Sequence, residues 1–96
     1  MSNKQAKLLL SERRVLERGF IEAVVWDLPR PMRGACHRFK YRLAYVVEGR
    51  CVLRYDNELG KGDHRHLGGK EKPYAFVSVD QLLNDFLADV ARWKGG

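Results

Sequence analysis

Between residues 39 and 47 apolar and polar positions alternate. Phe39, Tyr41, Leu43, Tyr45 and Val47 take the odd positions, and Lys40 and Arg42, preceded by Arg38, take the even ones before Ala44 and Val46. That period of two predicts a strand with one apolar face and one face that is basic near its start. After Glu48-Gly49 the alternation resumes, with Cys51, Leu53 and Tyr55 against Arg50, Val52, Arg54 and Asp56. A two-residue hairpin loop would pair odd with even positions and send the two apolar sets to opposite faces, so the loop is predicted to hold three residues including Gly49. A loop of Glu48, Gly49 and Arg50 sets Arg42 opposite Asp56 and Lys40 opposite Glu58; a loop of Val47, Glu48 and Gly49 sets Arg42 opposite Arg54 instead. Charge favours the first and glycine placement the second.

Residues 20–28, rich in β-branched and aromatic side chains, follow Gly19 and stop at Pro29 and Pro31, which predicts another strand. Residues 6–11 and 14–16 are short apolar pieces divided by the charged stretch 11–14, expected to be strand broken by a turn, with a short helix as the alternative. The C-terminal segment reads as a helix. Ser78 and Gln81 form a capping-box pattern, Val79, Leu82, Leu83, Phe86, Leu87, Val90 and Trp93 recur at helical spacing, and Gly95-Gly96 follow. Asp80 at its start and Arg92 and Lys94 at its end suit the helix dipole. The expected class is α+β: one domain over residues 1–96, a mainly antiparallel sheet of four to five strands with one C-terminal helix packed on one face, and the basic face open. A single helix leaves room for residual apolar surface, and hence for a homodimer.

Composition narrows this further. At 45% apolar residues the chain is expected to fold rather than stay disordered, and it contains neither an apolar run long enough to span a membrane nor a signal-peptide pattern. Cys36 and Cys51 lack metal-ligand or framework spacing and fit free thiols in a reducing, cytosolic setting. The net charge of +6 is concentrated: residues 28–54 hold seven bases against Glu48 alone, and the rest of the chain balances. Such a field favours nucleic acid, anionic substrates or an acidic protein.

Candidate chemistry gathers in residues 55–66, which contain Asp56, Asn57, Lys61, Asp63, His64, Arg65 and His66. A glycine-hinged loop is expected here, bent at Gly60, Gly62, Gly68 and Gly69 so that His64 and His66 can serve one site. Metal-free RNA cleavage needs a base for the 2′-hydroxyl, an acid for the leaving oxygen and cations around the phosphate. His64 and His66 suit the proton transfers; Asp56, Lys61 and Arg42 complete the candidate catalytic set. Arg38, Lys40, Arg54, Arg65 and Asn57 are the candidate substrate-binding residues. Phe39 and Tyr41 should enter the core rather than stack on bases. Three other readings stay open: a non-catalytic nucleic-acid or partner binder using the basic face, a metal-dependent hydrolase or nucleotidyl transferase using His-x-His, and a surface loop in which Asp and Asn build turns. Surrounding cations weigh against a dication, and Gly60-x-Gly62 is not a phosphate cradle, so no metal and no cofactor are assigned.

The run His37-Arg38-Phe39-Lys40-Tyr41-Arg42-Leu43, then Tyr55-Asp56-Asn57-Glu58 leading into residues 60–66, then Pro73-Tyr74-x-Phe76 before the helix, resembles the TumE family, the toxin component of small prokaryotic type II toxin-antitoxin modules. The resemblance spans nearly the whole chain and is weaker in the first eighteen residues. It implies a growth-inhibiting toxin with a cognate antitoxin, one carrying a helix-turn-helix domain. It assigns no reaction, though RNA cleavage, common among small basic toxins, agrees with the local chemistry.

Overall fold

The computed structural model describes residues 5–94, which form one six-stranded antiparallel sheet and one helix. The strands are β1 (Lys7–Val15), β2 (Gly19–Asp27), β3 (Phe39–Val47), β4 (Arg50–Glu58), β5 (Gly62–Leu67) and β6 (Lys70–Pro73), paired in chain order, and α1 (Val79–Arg92) returns across one face. The alternation predicts the buried set. Ile21, Ala23 and Val25 of β2, Tyr41, Leu43, Tyr45 and Val47 of β3, and Leu53 and Tyr55 of β4 share one side and pack with Leu82 and Phe86 of α1. Fully burying each large apolar side chain contributes about 1.5–3 kcal/mol, so this layer dominates the favourable side of folding.

Six strands replace the expected four to five because residues 62–73, expected as a loop, form a hairpin. A polar strand near a sheet edge needs no apolar alternation, since its backbone bonds to β4 while much of its surface stays wet. Gly68 and Gly69, with φ of 58° and 83°, make the tight turn between β5 and β6. The bend expected to bring His64 and His66 together is absent and unnecessary: residues two apart on a strand share a face. At the other edge, residues 7–15 form one continuous strand rather than two pieces around a turn. A bulge at Leu9 adjusts its register, and the reversal comes later, where the Leu16 N–H donates to the Gly19 carbonyl at 2.7 Å. An edge strand with little packed on it tolerates Glu12, Arg13 and Arg14 in sequence.

The hairpin between β3 and β4 corrects the loop length and keeps the parity argument. Its turn is Glu48-Gly49 alone, both left-handed at φ 53° and 76°. The odd residue lies in the strand as a bulge: Val46 pairs with Cys51 and Tyr45 with Leu53, leaving Val52 extra. Arg42 consequently faces Asp56, as the first expected register has it. The ladder ends there. Beyond it the Asn57 side chain takes over, with Oδ1 accepting from the Tyr41 N–H at 3.0 Å and Nδ2 donating to the Phe39 carbonyl at 2.7 Å.

Ser78 caps α1, its hydroxyl accepting from the Gln81 N–H at 3.0 Å. The Gln81 side chain goes to Asp85 rather than back to the cap, so half of the capping box is made. Leu82, Phe86, Asp89 and Trp93 follow the face turned to the sheet; Leu87, expected in the stripe, falls off it and is exposed, while Asp89 is buried. Gly95 and Gly96 lie outside the described residues. Among the described residues no helix is long and apolar enough to cross a membrane.

Candidate active site on the open sheet face

Because β3, β4 and β5 pair residue by residue, the even positions opposite the helix line up in rows. One row is Arg42, Asp56 and His64; the next is Ala44, Arg54 and His66, extended by Glu71 of β6. The two histidines thus stand side by side on the face that α1 leaves uncovered. Arg54 reaches along its row to place Nη2 3.1 Å from His66 Nε2. A guanidinium can only donate, so His66 Nε2 is the acceptor in this contact. Asp56 Oδ1 and Glu71 Oε2 each lie 3.7 Å from His66 Nε2, and the same Glu71 oxygen lies 3.7 Å from His64 Nδ1. Arg54 Nε sits 3.0 Å from Asp56 Oδ2, yet its N–H points past that oxygen, leaving Nε buried without a hydrogen bond. The contact is therefore electrostatic. A shallow groove of about 160 Å³, lined by Cys51, Val52, Arg54, His66 and the Gly68-Gly69 turn, borders this row where the β4 bulge opens it.

The other candidates separate. Arg42 is exposed on the open face and, among the described residues, forms no ion pair. Lys40 shares that face and donates to the Asn57 carbonyl at 2.7 Å, a neutral partner that leaves its charge uncompensated. Arg38 is exposed and pairs with Asp27 at 2.8 Å. Lys61 lies in the turn between β4 and β5, largely exposed and 3.7 Å from Glu58, away from the histidine rows. Arg65 pairs with Tyr55 across the ladder and therefore faces the helix, where its Nη1 lies 3.4 Å from Asp89 Oδ2. Asn57 is fully buried on the helix side with its amide engaged by β3, apart from the open face.

The helix side holds its own polar chain. His37 Nδ1 accepts from the Phe39 N–H at 3.0 Å, so its proton is on Nε2, which donates to Asp63 Oδ2 at 2.8 Å. The Tyr41 hydroxyl donates to the same oxygen at 2.6 Å, and Phe76 stacks on the imidazole at 3.8 Å between centroids. Burial and then the Asp63 carboxylate push the Tyr41 hydroxyl far above the usual phenol range. Tyr55 donates to buried Asp89 at 2.5 Å and is pushed up to about 12, by burial first and by that hydrogen bond second. Tyr74 donates to Asp85 at 2.6 Å and is also raised, chiefly by burial. These groups satisfy one another and pin the helix and the segment before it to the sheet.

Glu71, set between the histidines, was not legible as a site residue from sequence. The Gly68-Gly69 pair was the available signal, since a two-glycine break predicts a tight hairpin that would have returned Glu71 beside His66. Among the described residues no group of three or more His, Cys, Asp and Glu side chains is arranged to hold a metal ion.

Comparison with known proteins gives one family. The family model described as toxin TumE matches residues 4–94. No curated protein and no solved structure matches the chain significantly. With nearly the whole sequence covered, the chain belongs to the TumE family of toxins.

Proposed function

We propose that this toxin is a metal-independent endoribonuclease whose site is the open face of β3, β4 and β5. The carrying observation is the side-by-side placement of His64 and His66 with Arg42, Arg54 and Asp56 on a face free of the helix. His66, neutral and accepting at Nε2, is the base that takes the 2′-hydroxyl proton once Arg54 turns from it to the phosphate. The 2′-oxygen attacks phosphorus, the bond to the 5′-oxygen breaks, and His64 in its protonated form delivers a proton to that leaving oxygen. The products are a 2′,3′-cyclic phosphate and a 5′-hydroxyl. Arg42 and Arg54 stabilise the charge gathered on the phosphoryl oxygens, and Asp56 positions Arg54. Toxins of this kind act under a cognate antitoxin, here one with a helix-turn-helix domain, in the cytoplasm; the same open face is its natural target.

The test is incubation of purified protein with total RNA, with and without EDTA, beside His64→Ala and His66→Ala. Cleavage should survive EDTA and fall about 10²–10⁴-fold in either variant, with folding and RNA affinity retained. Loss with EDTA would instead point to a metal-dependent hydrolase, and dependence on a nucleotide cosubstrate to group transfer. A second reading has its own support: exposed Arg42 and uncompensated Lys40 would grip RNA without cutting it. Intact RNA with full binding and undiminished growth inhibition would favour it.

A further inference from the structure

The aromatics of the basic stretch, Phe39 and Tyr41, turn to the helix side, and the open face takes its aromatics from β2 instead. Val25 is fully buried on the helix side, so its neighbour Trp26 faces the other way, and Trp26 pairs with Lys40 across the ladder. Its indole is exposed, at 36%. The second open-face aromatic of β2, Phe20, lies under the Arg13 guanidinium, 4.1 Å from the ring centroid. Trp26 has no such cover among the described residues. Its surroundings carry net positive charge. Lys40 is beside it, Arg42 lies one step along the same face at about 7 Å of strand rise, and Asp27, next in the chain, is paired with Arg38. Leu8 of β1, half exposed, extends the apolar surface on the outer side of the indole.

We infer that Trp26 is a base-stacking platform for single-stranded nucleic acid, holding a nucleobase of the substrate while Lys40 takes a phosphate between it and the histidine rows. This rests on reading the open face as the nucleic-acid surface and adds to it a subsite distinct from the histidine rows. From β2 to β5 is three strand spacings, roughly 14 Å, so the stacked base lies a few nucleotides from the scissile phosphate. Stacking accepts any base, since each has a π-face, and the platform contributes affinity and placement rather than sequence choice.

The experiment uses the His64→Ala/His66→Ala double variant, which should leave the substrate uncut, and a labelled single-stranded RNA oligonucleotide. Binding is followed by anisotropy of the label and, separately, by quenching of protein tryptophan fluorescence. Stacking predicts quenching that disappears when Trp26→Phe is added although binding persists. Adding Trp26→Ala should weaken binding about tenfold or more with an unchanged melting temperature. RNA binding that is equally tight in Trp26→Ala and quenches no Trp26 emission overturns the inference while leaving the open face as the binding surface. Failure to bind RNA at all overturns both. Quenching of Trp26 by the antitoxin but not by RNA assigns the indole to a protein interface and likewise overturns it.

Discussion

At the scale of single residues, Asn57 and His66 show how the partner decides the role. Both stand in the polar segment 55–66, yet Asn57 holds an odd position of β4 and turns to the helix side, where its amide extends the β3 ladder. His66 pairs with Arg54 on the open side and presents an accepting nitrogen. Truncating Asn57 to alanine leaves the buried Tyr41 N–H and Phe39 carbonyl without partners, which should lower stability by about 2–3 kcal/mol in urea unfolding. The folded fraction should bind RNA as tightly as the parent. Weakened binding at full stability would return Asn57 to the substrate-binding residues.

At the scale of elements, the β3–β4 hairpin carries the site's geometry. The two-residue turn alone would set every apolar residue of β4 on the wrong face; the extra residue at Val52 restores Leu53 and Tyr55, and with them the Arg42, Asp56 and His64 row, while Cys51, expected with them, precedes the bulge and stays on the open side with Val46. Part of the turn's strain is visible: among the described residues Glu48 is the one non-glycine residue with positive φ. Glu48→Asn, creating the favoured Asn-Gly turn, should stabilise the protein on the order of 0.5–1 kcal/mol, read as a raised melting temperature. Unchanged or reduced stability would mean that the glutamate makes a compensating interaction. Polarity in residues 62–73 hid a hairpin because edge strands are selected for backbone pairing and solubility, not for an alternating core face.

At the scale of the whole molecule, two networks divide the sheet. The open face holds the histidines and the uncompensated cations; the helix face holds three tyrosine–carboxylate bonds, Tyr41 to Asp63, Tyr55 to Asp89 and Tyr74 to Asp85. Tyr55 ties α1 to β4, Tyr74 ties the approach segment to α1 and Tyr41 ties β3 to β5, and together they make stability depend on pH. Unfolded tyrosine ionises near pH 10, whereas burial and the Asp89 bond raise Tyr55 to about 12 and Tyr41 and Tyr74 are raised as well. The native state therefore holds these protons longer than the unfolded one, so this contribution is complete below about pH 10 and lost as pH rises toward 12. Melting temperature should fall across that window, with much of the tyrosinate absorbance appearing together with loss of helical circular dichroism. Full tyrosinate absorbance near pH 10 with an intact helix would remove the clamp.

The class, the apolar face of β3, the capped helix and the concentration of positive charge in residues 28–54 were legible in the chain, because each is set by local periodicity or composition. The chain also carried the resemblance to the toxin family that the comparison establishes. Strand pairing alone makes residues 62–73 a hairpin, sets the register with a bulge, turns Arg65 and Asn57 from the open face and brings Glu71 and Trp26 to it. Those facts depend on which strand lies beside which, and cross-strand register is a property of pairing between distant segments that no local pattern contains.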